Sequence, residues 1–220
     1  IMQTTLQTLD DATLAAVTAE KKLRGTDELF LLYLMGSQTT FLIKNQLERL
    51  GVYVECADPS TFKVDDVQKL NPKGIIISGG PDSVTEGELP FDREIFELCI
   101  AVLGISLGFQ RWAKYVGAEV ETGEKGEFGP YPLSIQNQDC PLLDGCLIEQ
   151  VVQNHGDKIF PSKLIVSSAS TDDSSVAVGQ YQNLFGVQFH PEVSGTTCGK
   201  RIFENFCFKI CGAKDRFPAE

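Results

Sequence analysis

Three side chains in this sequence have the types and the spacing for nucleophilic acyl chemistry. Ser106 stands in Gly104-Ile-Ser-Leu-Gly108, directly after the apolar run Ile100-Ala-Val-Leu103. A strand that ends in such a turn lifts one side chain above the sheet edge, and flanking glycines omit the Cβ atoms that would clash there. His190 stands in Gln188-Phe-His-Pro-Glu192, at the end of an apolar stretch over residues 185–189. In an extended segment residues two apart point to the same side, so Glu192 can reach the ring of His190. A carboxylate there orients an imidazole and favours its charged form. Nucleophile, histidine and carboxylate together are the parts of a triad. His155, in Asn154-His-Gly-Asp157, is the second of the two histidines. A lone histidine is more often structural than catalytic, and that applies fully to it.

Strand–helix alternation must position these groups. Continuous apolar runs predict strands over 29–35, 52–56, 74–78 and 101–105, the last leading into the turn at Ser106. Helical spacing predicts helices over 40–50, 64–70 and 91–99, the second closed by Asn71-Pro72. Such alternation with short links implies a mostly parallel sheet covered on both faces. From Ala118 the pattern turns to strand after strand: near Val120, then 133–136, 147–153, 164–169, 175–181 and 184–188. A helix over 199–210 follows. The fold class is therefore α/β, with a mostly parallel central sheet flanked by helices and additional antiparallel strands in the C-terminal half. Residues 1–28 read as an extension in which Leu6, Leu9, Thr13, Val17 and Leu23 predict an amphipathic helix ending near Gly25. Residues 29–212 read as one domain and 213–220 as a tail.

Bulk composition narrows the partners. Hydrophobic content is 42%, charged content 22% and net charge −11, and no Lys/Arg run exceeds the pair Lys21-Lys22. Nucleic acid and anionic membrane surfaces both need a basic patch, so neither is expected as a partner. The seven cysteines include no C-x-x-C pair, which removes a zinc-ribbon or thioredoxin reading. Their odd number fits reduced thiols in the cytoplasm. No run approaches the ~20 apolar residues of a membrane span, and no signal peptide opens the sequence. Opening on Ile1 rather than Met, the sequence reads as trimmed or tagged.

The order of the triad parts discriminates among families. An α/β-hydrolase places its acid between serine and histidine, whereas here the acid follows His190 by two residues. With that order, Gly104-Ile-Ser-Leu-Gly-Phe-Gln110 resembles the G-x-C-x-G-x-Q elbow of class I, or triad, glutamine amidotransferases, matching everywhere but the nucleophile. The resemblance runs from about Leu29 to Ile210. Ile75-Ile-Ile-Ser-Gly-Gly-Pro-Asp-Ser-Val84, Asn154-His-Gly-Asp157 and Phe189-His-Pro-Glu-Val193, followed by Gly199-Lys-Arg-Ile-Phe-Glu-Asn-Phe206, are most like the amidotransferase domain of the GMP synthetases. The motif Ser78-Gly-Gly-Pro-Asp-Ser83 also spells the S-G-G-x-D-S of ATP pyrophosphatases. Such a loop should open a helix at the phosphate, and Val84-Thr-Glu-Gly-Glu-Leu-Pro90 is a poor helix start.

The resemblance implies a flavodoxin-like fold and hydrolysis of the glutamine side-chain amide. It places residue 106 as nucleophile, His190 as base and then acid, and Glu192 as the group that holds His190. The backbone N–H groups of Leu107 and of Gly79 or Gly80 would form the oxyanion hole, while Gln110, Asn154, His155 and Asp157 would line the glutamine pocket. It implies no metal or cofactor in this domain, since ATP and Mg would belong to a synthetase domain or subunit that aminates XMP with the released ammonia. Serine at 106 departs from this pattern. A thiol of pKa about 8.5 ionises readily beside a histidine, and an alkoxide does not. The shorter oxygen in a site shaped for sulfur can cost on the order of 10²-fold in rate, so little or no glutaminase activity is expected. Ser106 is either an exchange that traps substrate or the mark of a natural lineage without the nucleophile. Further departures are Leu34-Met35 in place of an acid and an aromatic residue, Thr39 for a tyrosine, Phe109 for a methionine and Gly195 for a histidine. A glutamine- or partner-binding module and a serine hydrolase using Ser106 are the alternatives.

Overall fold

The computed structural model describes residues 4–87 and 90–216. In chain order the elements are α1 (Asp11–Arg24), β1 (Phe30–Tyr33), α2 (Thr40–Arg49), β2 (Val54–Ala57), α3 (Val64–Leu70) and β3 (Gly74–Ile77). After a 3-10 turn at Arg93–Glu97 come β4 (Val102–Ile105), α4 (Leu107–Tyr115), β5 (Val120–Ile135), β6 (Glu149–Ile159), β7 (Val166–Ser170), β8 (Val178–Tyr181), β9 (Leu184–Val187) and α5 (Gly199–Glu204). Among the described residues the strands form one sheet in the order β2-β1-β3-β4-β9-β8-β7-β5-β6. The five strands from β2 to β9 run parallel, and the remaining pairings are antiparallel. The α/β class with a parallel half and antiparallel additions is the one the sequence pattern predicts.

Alternation along the parallel strands builds two cores. Phe30, Leu32, Ile76, Leu103, Ile105, Phe185 and Val187 face a layer holding Ile43 and Leu47 of α2 and Ile202 and Phe203 of α5. Leu31, Tyr33, Ile75, Ile77, Val102 and Leu184 face the opposite layer, with Val17 of α1, Val67 of α3 and Phe109 and Trp112 of α4. Strands buried on both faces have no polar side to alternate with, which is why β1 and β3 read as unbroken apolar runs. Each large side chain so buried stabilises by roughly 1.5–3 kcal/mol.

Several local readings change. Leu6 and Leu9 do not belong to the first helix, which starts at Asp11 behind the Asp10 cap. Leu6 instead pairs with the free edge of β2, donating to Cys56 O at 2.8 Å and accepting from Asp58 N at 2.9 Å. The predicted helix over 91–99 is only the 3-10 turn, because the chain is already extended at Leu98 (φ −70°, ψ 147°), and Asn183 Nδ2 ties down the carbonyls of Leu98 and Ile100 beyond it at 3.1 and 2.7 Å. The two strands predicted near Val120 and over 133–136 are one strand, β5. Its Pro130 and Pro132 share one parity, and β7 pairs only with Ser134 and Ile135. Their missing N–H groups therefore fall on an unpaired edge, where proline is tolerated. The last helix passes from α5 into a π-helical turn, Asn205–Ile210. There Asn205 Nδ2 holds the carbonyls of Leu142 and Asp144, each at 2.9 Å. Of the tail at 213–220, residues 217–220 lie outside the described residues.

Candidate active site

The carboxyl ends of β1, β3, β4 and β9 deliver the candidate residues to one edge of the sheet, where open parallel sheets bind ligands. Ser106 lies between β4 and α4 with φ 51° and ψ −107°, a conformation uncommon and strained for a residue with a side chain. Its N–H donates to Val187 O at 2.8 Å and its carbonyl accepts from Gln110 N at 3.0 Å, so the elbow is tied to both β9 and α4. A Cβ on Gly104 would lie 2.5 Å from Phe109 N, and one on Gly108 would lie 2.3 Å from Ile77 O. The two glycines are thus demanded by the seating of α4 on the sheet. Phe109 is accommodated in the same way, since its ring covers the faces of Gly179 and Gly186.

His190 follows β9 and is anchored to β6 through its N–H, which donates to Val152 O at 2.9 Å. Thr196 Oγ1 donates to its carbonyl at 2.6 Å. The ring Nδ1 lies 2.7 Å from Glu192 Oε1. With a carboxylate accepting there, Nδ1 carries the hydrogen and Nε2 is left as the basic nitrogen. Gly79 lies beside both the imidazole and residue 106: a Cβ on it would stand 3.0 Å from His190 Cε1 and 3.5 Å from Ser106 Cβ. Glu192 is buried, and two residues of the 39–46 region reach it. Thr39 Oγ1 donates to its Oε1 at 2.8 Å and Gln46 Nε2 to its carbonyl at 2.7 Å. Sequence reasoning missed both as site residues, because no spacing rule links them to a carboxylate some 150 positions away.

Ser78 secures the loop that carries Gly79 and Gly80. Its hydroxyl accepts from Met35 N at 2.9 Å and donates to Gly79 O at 2.9 Å. A Cβ on Gly80 would lie 2.2 Å from Met35 O, so only glycine permits this approach of the loops after β1 and β3. No helix opens on residues 78–83, which removes the pyrophosphatase-like reading of that motif. Leu107 is the first residue of α4, and the N–H groups of a first helical turn have no acceptor within their own helix. Gly80, Ser106 and Leu107 border one cavity of about 300 Å³, together with Pro81, Asp82, Ser83, Gln110, Phe128 and Asn154 to Asp157.

On the far wall of this cavity β6 alternates buried Gln153, His155 and Asp157 with exposed Asn154 and Gly156. His155 Nδ1 faces the Asp157 carbonyl at 2.7 Å, and Nε2 faces Glu127 Oε2 at 2.9 Å. Both ring nitrogens are engaged, so the ring holds the corner of the cavity in place. Glu127, a further residue the sequence reading missed, also accepts from Thr171 Oγ1 at 2.8 Å and Asp173 N at 3.0 Å. The Asp157 carboxylate accepts from Thr122 Oγ1 at 2.8 Å and from Ser83. Gln110 Nε2 donates to Asp157 O at 3.1 Å and Gln188 Oε1 at 3.3 Å, joining α4 to the same wall. Among the described residues, no group of three or more His, Cys, Asp or Glu side chains could hold a metal ion, and no helix is long and apolar enough to cross a membrane.

Comparison with known proteins agrees with this geometry. The family model for class-I glutamine amidotransferases matches residues 31–210. Glutamine-hydrolysing GMP synthases are similar in sequence: that of Candida albicans is 38% identical over 84% of this chain and 35% of its own length. One from Staphylococcus aureus is 37% identical over 88% of this chain and 38% of its own. The chain thus spans little more than a third of the length of these curated relatives. Among solved structures, a Thermoplasma acidophilum protein assigned to GMP synthase superposes with a TM-score of 0.74 at 26% identity, over 84% of this chain and 94% of that one. A Thermotoga maritima glutamine amidotransferase has the same fold, with a TM-score of 0.64 at 21% identity over 83% of this chain and 82% of that one. With most of its length matched and the elbow, histidine and acid gathered at one sheet edge, the chain belongs to the class I glutamine amidotransferase family.

Proposed function

We propose that this chain is a glutamine amidotransferase domain of the GMP synthase type, held nearly inactive by serine at the nucleophile position. The observation that carries the reading is the pairing of His190 Nδ1 with Glu192 Oε1 at 2.7 Å, with Gly79 beside both the imidazole and residue 106. In the working form of such a site, residue 106 attacks the side-chain amide carbon of glutamine. His190 Nε2 takes the proton from the nucleophile and passes it to the departing ammonia. The backbone N–H groups of Leu107 and of Gly79 or Gly80 stabilise the oxyanion, in water-poor surroundings where such donors act most strongly. Water then releases glutamate by the reverse use of His190. The ammonia serves a synthetase domain or subunit that aminates XMP, and ATP and Mg act there rather than in this domain. Gln110, Asn154, His155 and Asp157 shape the glutamine pocket, the last two mainly through backbone and network.

The test is ammonia release from glutamine by the chain as it stands and by Ser106→Cys, each with a GMP synthase synthetase domain supplied. The parent should be near background and the variant at least 10²-fold above it. A second reading, a glutamine-binding module without turnover, is supported by the intact cavity beside a residue that is not cysteine. It requires that glutamine bind and that Ser106→Cys stay silent. Labelling of Ser106 by a fluorophosphonate with turnover of esters would instead favour a serine hydrolase.

A further inference from the structure

We propose that Thr39 is a positioning residue for the acid of the triad, its hydroxyl fixing the Glu192 carboxylate against His190. The inference rests on the roles assigned above to His190 and Glu192. Thr39 Oγ1 lies 2.8 Å from Glu192 Oε1, the same oxygen that meets His190 Nδ1 at 2.7 Å. A carboxylate oxygen only accepts, so the single hydroxyl hydrogen of Thr39 is committed to it. Ser37 Oγ stands 2.9 Å from Thr39 Oγ1. Thr39 has no second hydrogen to give, so Ser37 is the donor in that contact. Ser37 Oγ in turn accepts the Thr39 N–H at 3.2 Å. The hydrogens therefore run in one direction, from Ser37 to Thr39 to Glu192, and His190 meets the run from the other side.

Glu192 has little else to hold its head. Its side chain is fully buried, and Oε2 has no hydrogen-bond partner among the described residues. A carboxylate gripped at one oxygen by the histidine alone is free to turn about that contact, whereas a second donor at the same oxygen fixes the plane. Hydrogen bonds in such a run polarise one another, so the Thr39 contact also tempers how strongly Glu192 draws the Nδ1 hydrogen. The hydroxyl has no competing structural duty. Thr39 precedes α2 but makes no side-chain capping bond to it, and Gln46 holds the Glu192 backbone independently.

Thr39→Val removes the donor at nearly constant volume, and Thr39→Ser retains it. With two histidines in the sequence, the ring N–H signals are separable by 15N-edited NMR, and His155, clamped by Glu127, is an internal control. Thr39→Val should shift the His190 Nδ1–H signal and speed its exchange with water several-fold. Thr39→Ser should restore both, with His155 unmoved throughout. An unchanged His190 signal in Thr39→Val overturns the proposal, and so does equal movement of both histidines, which would mark general loosening. In a Ser106→Cys background, Thr39→Val should lower kcat about tenfold with KM unchanged, the pattern of a disturbed base rather than disturbed substrate binding. A Ser106→Cys protein that releases no ammonia counts against the functional reading alone, because the NMR result on Thr39 stands apart from turnover.

Discussion

At the scale of single residues, Ser106 is held in a strained elbow at the sheet edge that also carries the His190–Glu192 pair. On the function proposed above, the exchange of sulfur for oxygen at this one position is what limits turnover. A residue on β2 illustrates how burial can outweigh nearby donors in setting charge. Glu55 on β2 has its carboxyl pushed above the usual range, mainly by desolvation, with hydrogen bonding from Tyr53 and the nearby Lys44 pulling the other way. A carboxyl that holds its proton more tightly when folded makes the native state bind more protons than the unfolded one. Stability therefore falls as pH rises past the ordinary value of 4.5 and through the raised one. Glu55→Gln, whose amide oxygen can still accept from Tyr53, should flatten that fall and match or exceed the parent at pH 7. Urea unfolding across the acid range checks this, and an unchanged slope would sink it.

At the scale of elements, the seating of α4 shows what the glycine pattern encodes. Glycine to alanine inside a helix ordinarily gains about 1 kcal/mol. At Gly108 the added Cβ would meet Ile77 O at 2.3 Å and Ile77 Cβ at 2.9 Å, so Gly108→Ala should lose about 1–3 kcal/mol by overpacking. A stability gain measured by thermal or urea unfolding would show that α4 can lift off β3 freely. Elements set by local chemistry were legible: α2, α3 and the four strands leading to the elbow fall within a residue or two of where periodicity puts them. Elements set by partners were not. Asn183 holds the carbonyls of Leu98 and Ile100 just past the 3-10 turn, and the unpaired edge of β5 lets one strand run through Pro130 and Pro132. Leu6 and Leu9 carry an apolar signal that fits a helix but serve an edge strand and the core below it.

At the scale of the whole molecule, the cavity exists because the antiparallel ribbon of β5 and β6 folds back to face the parallel half. Glu127 is the residue on which that wall converges, binding His155, Thr171 and the Asp173 N–H from a nearly fully buried position. Glu127→Ala would leave the buried Thr171 hydroxyl and His155 ring and the half-buried Asp173 N–H without their acceptor, and should cost about 3 kcal/mol. Glutamine binding by the Ser106 protein should weaken in parallel, as calorimetry can read without turnover. A loss below about 1 kcal/mol with binding intact would mean the wall reorganises without it. Among the sequence departures, Gly195 also belongs to this scale, since a Cβ there would stand 2.6 Å from Val152 Cγ2 on β6.

The sequence by itself determined the α/β class, the elbow at residue 106 and the reach of Glu192 to His190, because these depend on strand periodicity, on glycines flanking one turn and on a two-residue spacing. Only the tertiary structure decided that Thr39 and Gln46 hold Glu192, that Glu127 occupies the His155 ring, and that Gln110 ties α4 to β6. Those contacts join positions separated by 28 to 153 residues. No local rule spans such distances; they form when two layers and a ribbon close on the same sheet edge. Position 106 was legible as an elbow, and the fold sets that elbow at the same sheet edge as the His190–Glu192 pair.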